Sequence, residues 1–248
     1  MRKRLFDIVV SGFGLVMASP ILLPALFLVW WQDKHSPFYI APRVGKGGVL
    51  FKMMKLRSMV PNADKSRIDS TSANDGRITR IGHFIRRYKL DELCQLWNVF
   101  IGDMSMVGPR PNVKRETDLY TPVERKLLDV KPGITDLASI VFSDESDILA
   151  NQPDADIAYN QLIRPGKSKL GIFYIENRSL LLDIKLCFLT AVAILSRDKA
   201  LVKIKHILHK LGAPKELIRI ANRVEPLTPM PPPGGEKVVT SRDGNTFT

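Results

Sequence analysis

The chain has 248 residues, 45% of them hydrophobic and 25% charged, which is enough for one large domain or two small ones and excludes wholesale disorder. With 37 Lys and Arg against 25 Asp and Glu, its net charge of +12 calls for an anionic partner: nucleic acid, an anionic membrane surface or a phosphorylated substrate. Its two cysteines, Cys94 and Cys187, lie far apart without metal-ligand spacing, so they form no disulfide framework and suggest a reducing compartment.

Residues 5–31 are apolar, with Asp7 the only charge among them. A straight helix of that length reaches roughly 40 Å, more than the ~30 Å hydrocarbon core of a bilayer. A secretory signal peptide fits poorly, because Pro20 follows Ala18-Ser19 and the apolar run continues past it. Arg2, Lys3 and Arg4 precede the run, and Lys34, Arg43, Lys46, Lys52, Lys55 and Arg57 follow it, so both flanks read as cytoplasmic. Pro20 lacks the N–H that would reach the Val16 carbonyl, which predicts a bend there, with the Ser19 hydroxyl capping a freed backbone group. The expectation is a re-entrant helix broken at Ser19-Pro20; a kinked helix that crosses fully is the alternative.

Trp30 and Trp31 stand where an aromatic belt sits. Phe38-Tyr39-Ile40 and Val49-Leu50-Phe51 flank Gly45-Lys46-Gly47-Gly48, which reads as a β-hairpin; the glycines lack the Gly-Lys-Ser/Thr of a phosphate loop. Residues 61–76 are polar and read as a mobile loop. Ile81, Phe84 and Ile85 give one short helical face, and Leu90, Leu93, Trp97 and Phe100 a second. Gly108-Pro109-Arg110-Pro111 is a rigid turn, and residues 123–130 read as a helix closed by Lys131-Pro132-Gly133. Residues 181–195 form an apolar helix. Leu201, Ile204, Leu208 and Leu211 form a stripe opposed by Lys203, Lys205, His206, His209 and Lys210, a pattern suited to a bilayer surface. From Glu225 the proline-rich tail reads as disordered.

Asp91 and Glu92 sit at the start of the helix that runs to Phe100. Adjacent acids there are often only dipole partners. Here Arg80, Arg86, Arg87 and Lys89 precede them and Arg110 follows on its proline-locked turn. Nearby cations keep a carboxylate ionised, as a nucleophile requires, and hold phosphate oxygens. Phosphoryl transfer needs that combination, usually with a divalent ion.

Leu90-Asp91-Glu92-Leu93, Gln95-Leu96-Trp97-Asn98-Val99 and Gly102-Asp103-Met104-Ser105-Met106-Val107-Gly108-Pro109-Arg110-Pro111 resemble the bacterial sugar transferase family, the monotopic phosphoglycosyl transferases. Arg43-Val44-Gly45, Phe51-Lys52, Lys55-Leu56-Arg57-Ser58-Met59 and Lys131-Pro132-Gly133-Ile134-Thr135 extend the resemblance over residues 2–196. It implies a Ser-Pro break in a re-entrant membrane helix, Asp91 as nucleophile on the sugar-linked phosphate of a UDP-sugar, UMP release, and transfer from an aspartyl-phosphosugar to polyprenyl phosphate. Glu92 is implied as acid/base or metal-organising partner, with Mg2+ held near Asp91 and Glu92. Arg86 and Arg110, between Pro109 and Pro111, match phosphate-binding arginines, and Asp183 matches a further acidic position. Lys55 and Arg57 are candidates either for the diphosphate or for lipid headgroups. His206 and His209 are a weak metal pair without a third ligand.

Three departures stand out: Lys89 where a small hydroxyl residue is usual, Cys94 for a proline, and Asp136 for a glycine. The expected fold is α-rich with a small β-hairpin: a re-entrant helix (1–33) and amphipathic interfacial helices around a compact cytosolic catalytic domain (34–196), then a basic amphipathic extension (197–224) and a disordered tail (225–248). The expected setting is the cytoplasmic face of a bacterial inner membrane. Expected partners are a UDP-sugar, polyprenyl phosphate, membrane lipid and a second copy in a homodimer, with no nucleic acid. The rival reading is a non-enzymatic, membrane-anchored basic protein that binds nucleic acid or anionic lipid.

Overall fold

A computed structural model describes residues 2–63, 75–150 and 152–241. The loop expected over 61–76 therefore falls mostly outside the described residues, as does the tail beyond 241.

The first helix, α1 (Arg2–Asp33), contains an 18-residue window of mean hydropathy 2.1, of which 11% is buried. Its buried positions fall in two groups, Asp7 with Ser11 and Ala25 with Val29. Leu5, Val9, Phe13, Val16, Met17, Ile21, Leu23 and Phe27 stay exposed. Helical structure runs through Pro20 and Pro24 without interruption, where the sequence led us to expect a break. The reason is local: the Ser19 hydroxyl donates to the Val16 carbonyl at 2.7 Å, replacing the N–H that Pro20 lacks.

Both ends of α1 are fastened to one body. At the start, Arg4 donates to the Val99 and Phe100 carbonyls at 2.6 and 2.7 Å, and Asp7 accepts from the Ser105 hydroxyl and the Met106 N–H at 3.0 and 2.9 Å. At the finish, Asp33 is gripped by both Nη atoms of Arg57 at 2.6 and 2.7 Å. Asp7, the lone charge of the apolar run, is thus a buried anchor for irregular backbone.

The hairpin forms as expected. Strand β1 (Phe38–Val44) pairs antiparallel with β2 (Leu50–Leu56), Phe38 facing Leu56 and Val44 facing Leu50. Gly47 and Gly48 take φ of 68° and 80° in the turn, a conformation open to glycine at little cost. Helix α2 (Arg80–Arg87) is capped by Thr79, whose hydroxyl accepts from Gly82 N, and it docks tightly: a Cβ at Gly82 would lie 1.8 Å from the Ser58 carbonyl oxygen.

A 3-10 turn (Leu90–Glu92) leads into α3 (Gln95–Ile101). On α3 the buried face is Gln95, Leu96, Asn98 and Val99, whereas Trp97 and Phe100 are exposed and stack with ring centres 5.9 Å apart. The spacing of Trp97 and Phe100 marks a helical face, but it is the outer one. Strand β3 (Ser105–Val107) pairs parallel with β4 (Gly133–Thr135); between them lie α4 (Lys114–Asp118) and a 3-10 helix (Glu124–Asp129) where residues 123–130 were read as helix.

The remaining helices are α5 (Leu137–Val141), α6 (Glu145–Leu149), α7 (Ala155–Ala158), α8 (Arg164–Asn177, reached through a π turn), α9 (Leu180–Leu195), α10 (Arg197–Lys210) and α11 (Lys215–Asn222). They enclose the main core, which includes Leu137, Ile140, Leu170, Tyr174 and Leu186. Leu201, Ile204 and Leu208 of α10 are buried in that same core. Their stripe is filled by protein rather than left for a bilayer, which corrects the interfacial reading of residues 197–224. The tail is corrected as well. Thr121 Oγ1 donates to the Pro233 carbonyl, Gln161 to the Val239 carbonyl at 2.7 Å, and Val239 is fully buried. The segment up to residue 241 lacks regular structure because its prolines cannot donate, but side chains of the body hold its carbonyls.

Candidate active site

The residues singled out in the sequence come from four separate elements. Lys55 lies on β2, Arg86 on α2, Asp91 and Glu92 on the 3-10 turn before α3, and Arg110 on the Gly-Pro-Arg-Pro turn after β3. Three local devices bring them together. Asn98, buried on α3, accepts from the Met54 N–H at 2.9 Å and donates to the Lys52 carbonyl at 2.8 Å, locking β2 beside the acidic turn. Lys89 takes the left-handed conformation, φ 56°, and makes no side-chain cap, as expected for a lysine in a capping position. The Arg110 turn is clasped by β4: Gly133 N donates to the Pro109 carbonyl and Gly108 N to the Thr135 carbonyl, both at 3.0 Å. A Cβ on Gly133 would lie 2.1 Å from Gly108 N, so only glycine permits this approach.

Arg110 Nη2 donates to Glu92 Oε1 at 2.7 Å. Burial raises the Glu92 carboxyl, but the charges of Arg110, Lys55 and Lys89 outweigh it and hold Glu92 well below the usual carboxylate range. Asp91 differs. Burial pushes its carboxyl above the ordinary value and Glu92 adds to the rise, while Lys55, Arg110 and Arg86 pull it back. The surrounding cations therefore hold Glu92 down, whereas for Asp91 burial outweighs them and the shift is upward. The Asp91 carboxylate has no hydrogen bond to any described residue. Burial, with Arg110 close by, pulls the Lys55 ammonium down to about 8. Arg86 Nη1 is buried without a hydrogen-bond partner among the described residues.

Two candidates lie elsewhere. Arg57 is buried and saturated: beyond Asp33 it donates to the Ser36 carbonyl at 2.7 Å and to the Val29 carbonyl at 3.3 Å. It ties α1 to β2 and has nothing left for a diphosphate or a headgroup. Asp183 is also buried, accepting from Lys3 Nζ and from the Tyr174 hydroxyl, each at 2.6 Å. That carboxylate holds the start of α1 on α9. Sequence spacing could not show either role, since the partners lie 24 and 180 residues away.

Among the described residues no three His, Cys, Asp or Glu side chains gather as a metal cage. Mg2+ is commonly held by one or two carboxylates, with phosphate oxygens and water completing the shell, and the adjacent Asp91 and Glu92 fit that arrangement. His206 and His209 are exposed on α10.

The family model for bacterial sugar transferases matches residues 1–197. The chain is 36% identical over 216 residues to the UDP-galactose-lipid carrier transferase of Erwinia amylovora, covering 80% of this chain and 41% of that protein. It is 33% identical over 207 residues to the exopolysaccharide production protein ExoY of Sinorhizobium fredii, covering 77% and 84%. It is 48% identical over 133 residues to a putative undecaprenyl-phosphate N-acetylgalactosaminyl 1-phosphate transferase of Bacillus subtilis, covering 54% and 70%. The chain belongs to the bacterial sugar transferase family. It spans about two-fifths of the length of the Erwinia protein and of a galactose phosphotransferase of Salmonella typhimurium.

Proposed function

We propose that the chain is a phosphoglycosyl transferase that moves a sugar-1-phosphate from a UDP-sugar to undecaprenyl phosphate at the cytoplasmic face of a bacterial inner membrane. The observation that carries this reading is the asymmetry of the acidic pair. Glu92 is engaged by Arg110, while Asp91 makes no hydrogen bond to a described residue and faces Lys55, Arg86 and Arg110.

In the first step an Asp91 oxygen attacks the phosphorus that bears the sugar. A P–O bond forms to Asp91, the bond between the two phosphates breaks, and UMP leaves with the electron pair. In the second step an oxygen of polyprenyl phosphate attacks the same phosphorus, the bond to Asp91 breaks, and the carboxylate is restored. Arg110 and Arg86 hold the phosphoryl oxygens through charge-assisted hydrogen bonds, Arg86 with the Nη1 that no described residue uses. Glu92 keeps Arg110 oriented. Lys55, which burial inclines to give up its proton, sits where it moves a proton or neutralises a phosphate oxygen. Asp91 and Glu92 are the residues that would hold a Mg2+, which would supply further charge neutralisation. The names of the relatives support the acceptor and the transferred group.

The membrane reading is re-entrant. Both ends of α1 are fixed to one body, at Arg4 and Asp7 and again at Asp33, which favours an apolar face dipping into one leaflet and returning. Cysteines placed at Arg2 and Lys34 are expected to react with a membrane-impermeant reagent from the same side only; labelling from opposite sides overturns this topology. Activity is tested by incubating the purified chain with undecaprenyl phosphate and single UDP-sugars. Release of UMP with one of them is the expected result.

A further inference from the structure

Arg110 has a second neighbourhood. A cleft opens along it, walled by Pro109, Asp136, Ser139, Tyr159 and Lys167. Asp136 is 2% exposed. Its Oδ1 caps α5, accepting from Ser139 N at 2.6 Å and from the Ser139 hydroxyl at 2.7 Å. Its Oδ2 has no hydrogen-bond partner among the described residues and is not among the polar atoms sealed from solvent. The Tyr159 hydroxyl shares both properties, and the Lys167 ammonium, itself paired with Glu145, lies 5.4 Å from the centre of the Tyr159 ring.

Capping alone does not account for this carboxylate. A cap needs one acceptor, which Ser or Asn supplies as well as Asp without a second oxygen to desolvate. A nearly buried carboxylate oxygen with no donor beside it is costly unless an O–H or N–H arrives from outside. The cleft is the way in, and Arg110 borders both the cleft and Glu92.

We propose that Asp136, with Tyr159, is a specificity-determining residue for the donor: Asp136 Oδ2 accepts a hydrogen bond from one hydroxyl or amide N–H of the sugar. This rests on the sugar-phosphate transfer proposed above. Because Arg110 lines this cleft, a phosphate held by Arg110 would bring its sugar substituent toward Asp136. A site built to pair with one sugar hydroxyl also rejects an analogue that lacks it far more strongly than an apolar wall does.

The test uses the full-length chain in detergent with the best UDP-sugar and its analogues deoxyfluorinated at single ring positions, since C–F takes the place of C–OH but donates no hydrogen. For wild type, kcat/KM is expected to fall about 10–100-fold for one analogue, the loss of a hydrogen bond to a charged group. In Asp136→Asn that penalty is expected to shrink below about threefold, while kcat/KM for the parent sugar falls by a similar 10–100-fold. If Asp136→Asn does not fold, Asp136→Ser, another capping residue, replaces it, and Tyr159→Phe provides an independent variant. An unchanged analogue penalty in the folded Asp136 variants shows a cap only and overturns the proposal. A wild type that releases UMP from no UDP-sugar sinks the transferase reading and this proposal with it, whereas UMP release with unchanged discrimination sinks this proposal alone.

Discussion

Arg110 Nη2 lies 2.7 Å from Glu92 Oε1, and this pairing leaves Asp91, one residue earlier, as the acid without a hydrogen bond to any described residue. Two adjacent carboxylates thereby become unlike groups. Glu92 accepts from Arg110, and Asp91 is the one to which the proposed mechanism gives the attack on phosphorus. The guanidinium is planar and presents several N–H groups in a fixed fork, so it can hold Glu92 and a phosphoryl oxygen at once. Arg110→Lys is therefore expected to lower kcat/KM for UMP release by about 10²–10³-fold, as for loss of a pre-organised donor, although charge is kept. Steady-state kinetics check this, and near-wild-type turnover would remove Arg110 from the site.

Arg57 and Asp183 make the opposite forecast. Each belongs to the fastening of α1, with side chains 8% and 2% exposed, and neither lies among the groups that set the charge around Asp91. Arg57→Ala leaves Asp33 without its partner at the end of the helix and is expected to cost about 2–3 kcal/mol, less than a fully buried pair because Asp33 is partly solvated. Asp183→Asn keeps an acceptor for Tyr174 but loses the attraction of Lys3, at a cost of about 1–2 kcal/mol. Denaturation in detergent measures both losses. The KM for the UDP-sugar should stay within about twofold of wild type in each, since uniform binding is untouched.

Gly133 tests the geometry that aims Arg110. An alanine there puts its Cβ against Gly108 N, backbone against backbone, with no side chain to give way. Gly133→Ala should lower stability by about 1–3 kcal/mol and shift the turn, reducing turnover of the molecules that remain folded. Unchanged stability and activity would show that β3 and β4 separate freely.

The Cys187 thiol supplies a pH test. Burial, with Asp183 nearby, pushes it up to about 12, so the reactive thiolate is scarce at neutral pH. Because the folded value lies above the ordinary thiol value of 9.0, the native thiol at pH 8 should react with a thiol reagent about a thousandfold more slowly than in the unfolded chain. The rate should rise about tenfold per pH unit through the alkaline range, until the fold is lost or about pH 12 is reached. Stopped-flow labelling of Cys94→Ser protein follows it. Rapid reaction at pH 7 would place Cys187 in a different environment.

Much of this architecture was written in local patterns. The β-hairpin followed from two short apolar runs around Gly47 and Gly48, and the Gly-Pro-Arg-Pro turn from its prolines. Asp91, Glu92, Arg86 and Arg110 were singled out by charge and order. What local pattern could not show was who pairs with whom. Arg57 and Arg110 are the same residue type in similar company, yet one faces Asp33 and is spent, while the other faces Glu92 beside an open acid. Leu201, Ile204 and Leu208 form a stripe that reads alike whether it meets a bilayer or a protein core, and only α5, α9 and α11 around it decide. The three-residue strands β3 and β4 are too short for any periodicity, although Gly108 and Gly133 mark where they cross. Asp136 drew notice only as a departure from the family pattern; the cleft beside it needed the fold.

The central claim is that Asp91 carries the sugar phosphate covalently. The most direct measurement is mass spectrometry of the chain incubated with its UDP-sugar in the absence of polyprenyl phosphate, alongside UMP release by wild type and by Asp91→Asn. The account predicts a phosphosugar adduct on the peptide containing Asp91, about one UMP released per chain, and neither signal in Asp91→Asn. UMP release by Asp91→Asn at the wild-type rate, or turnover without an adduct on Asp91, would contradict it.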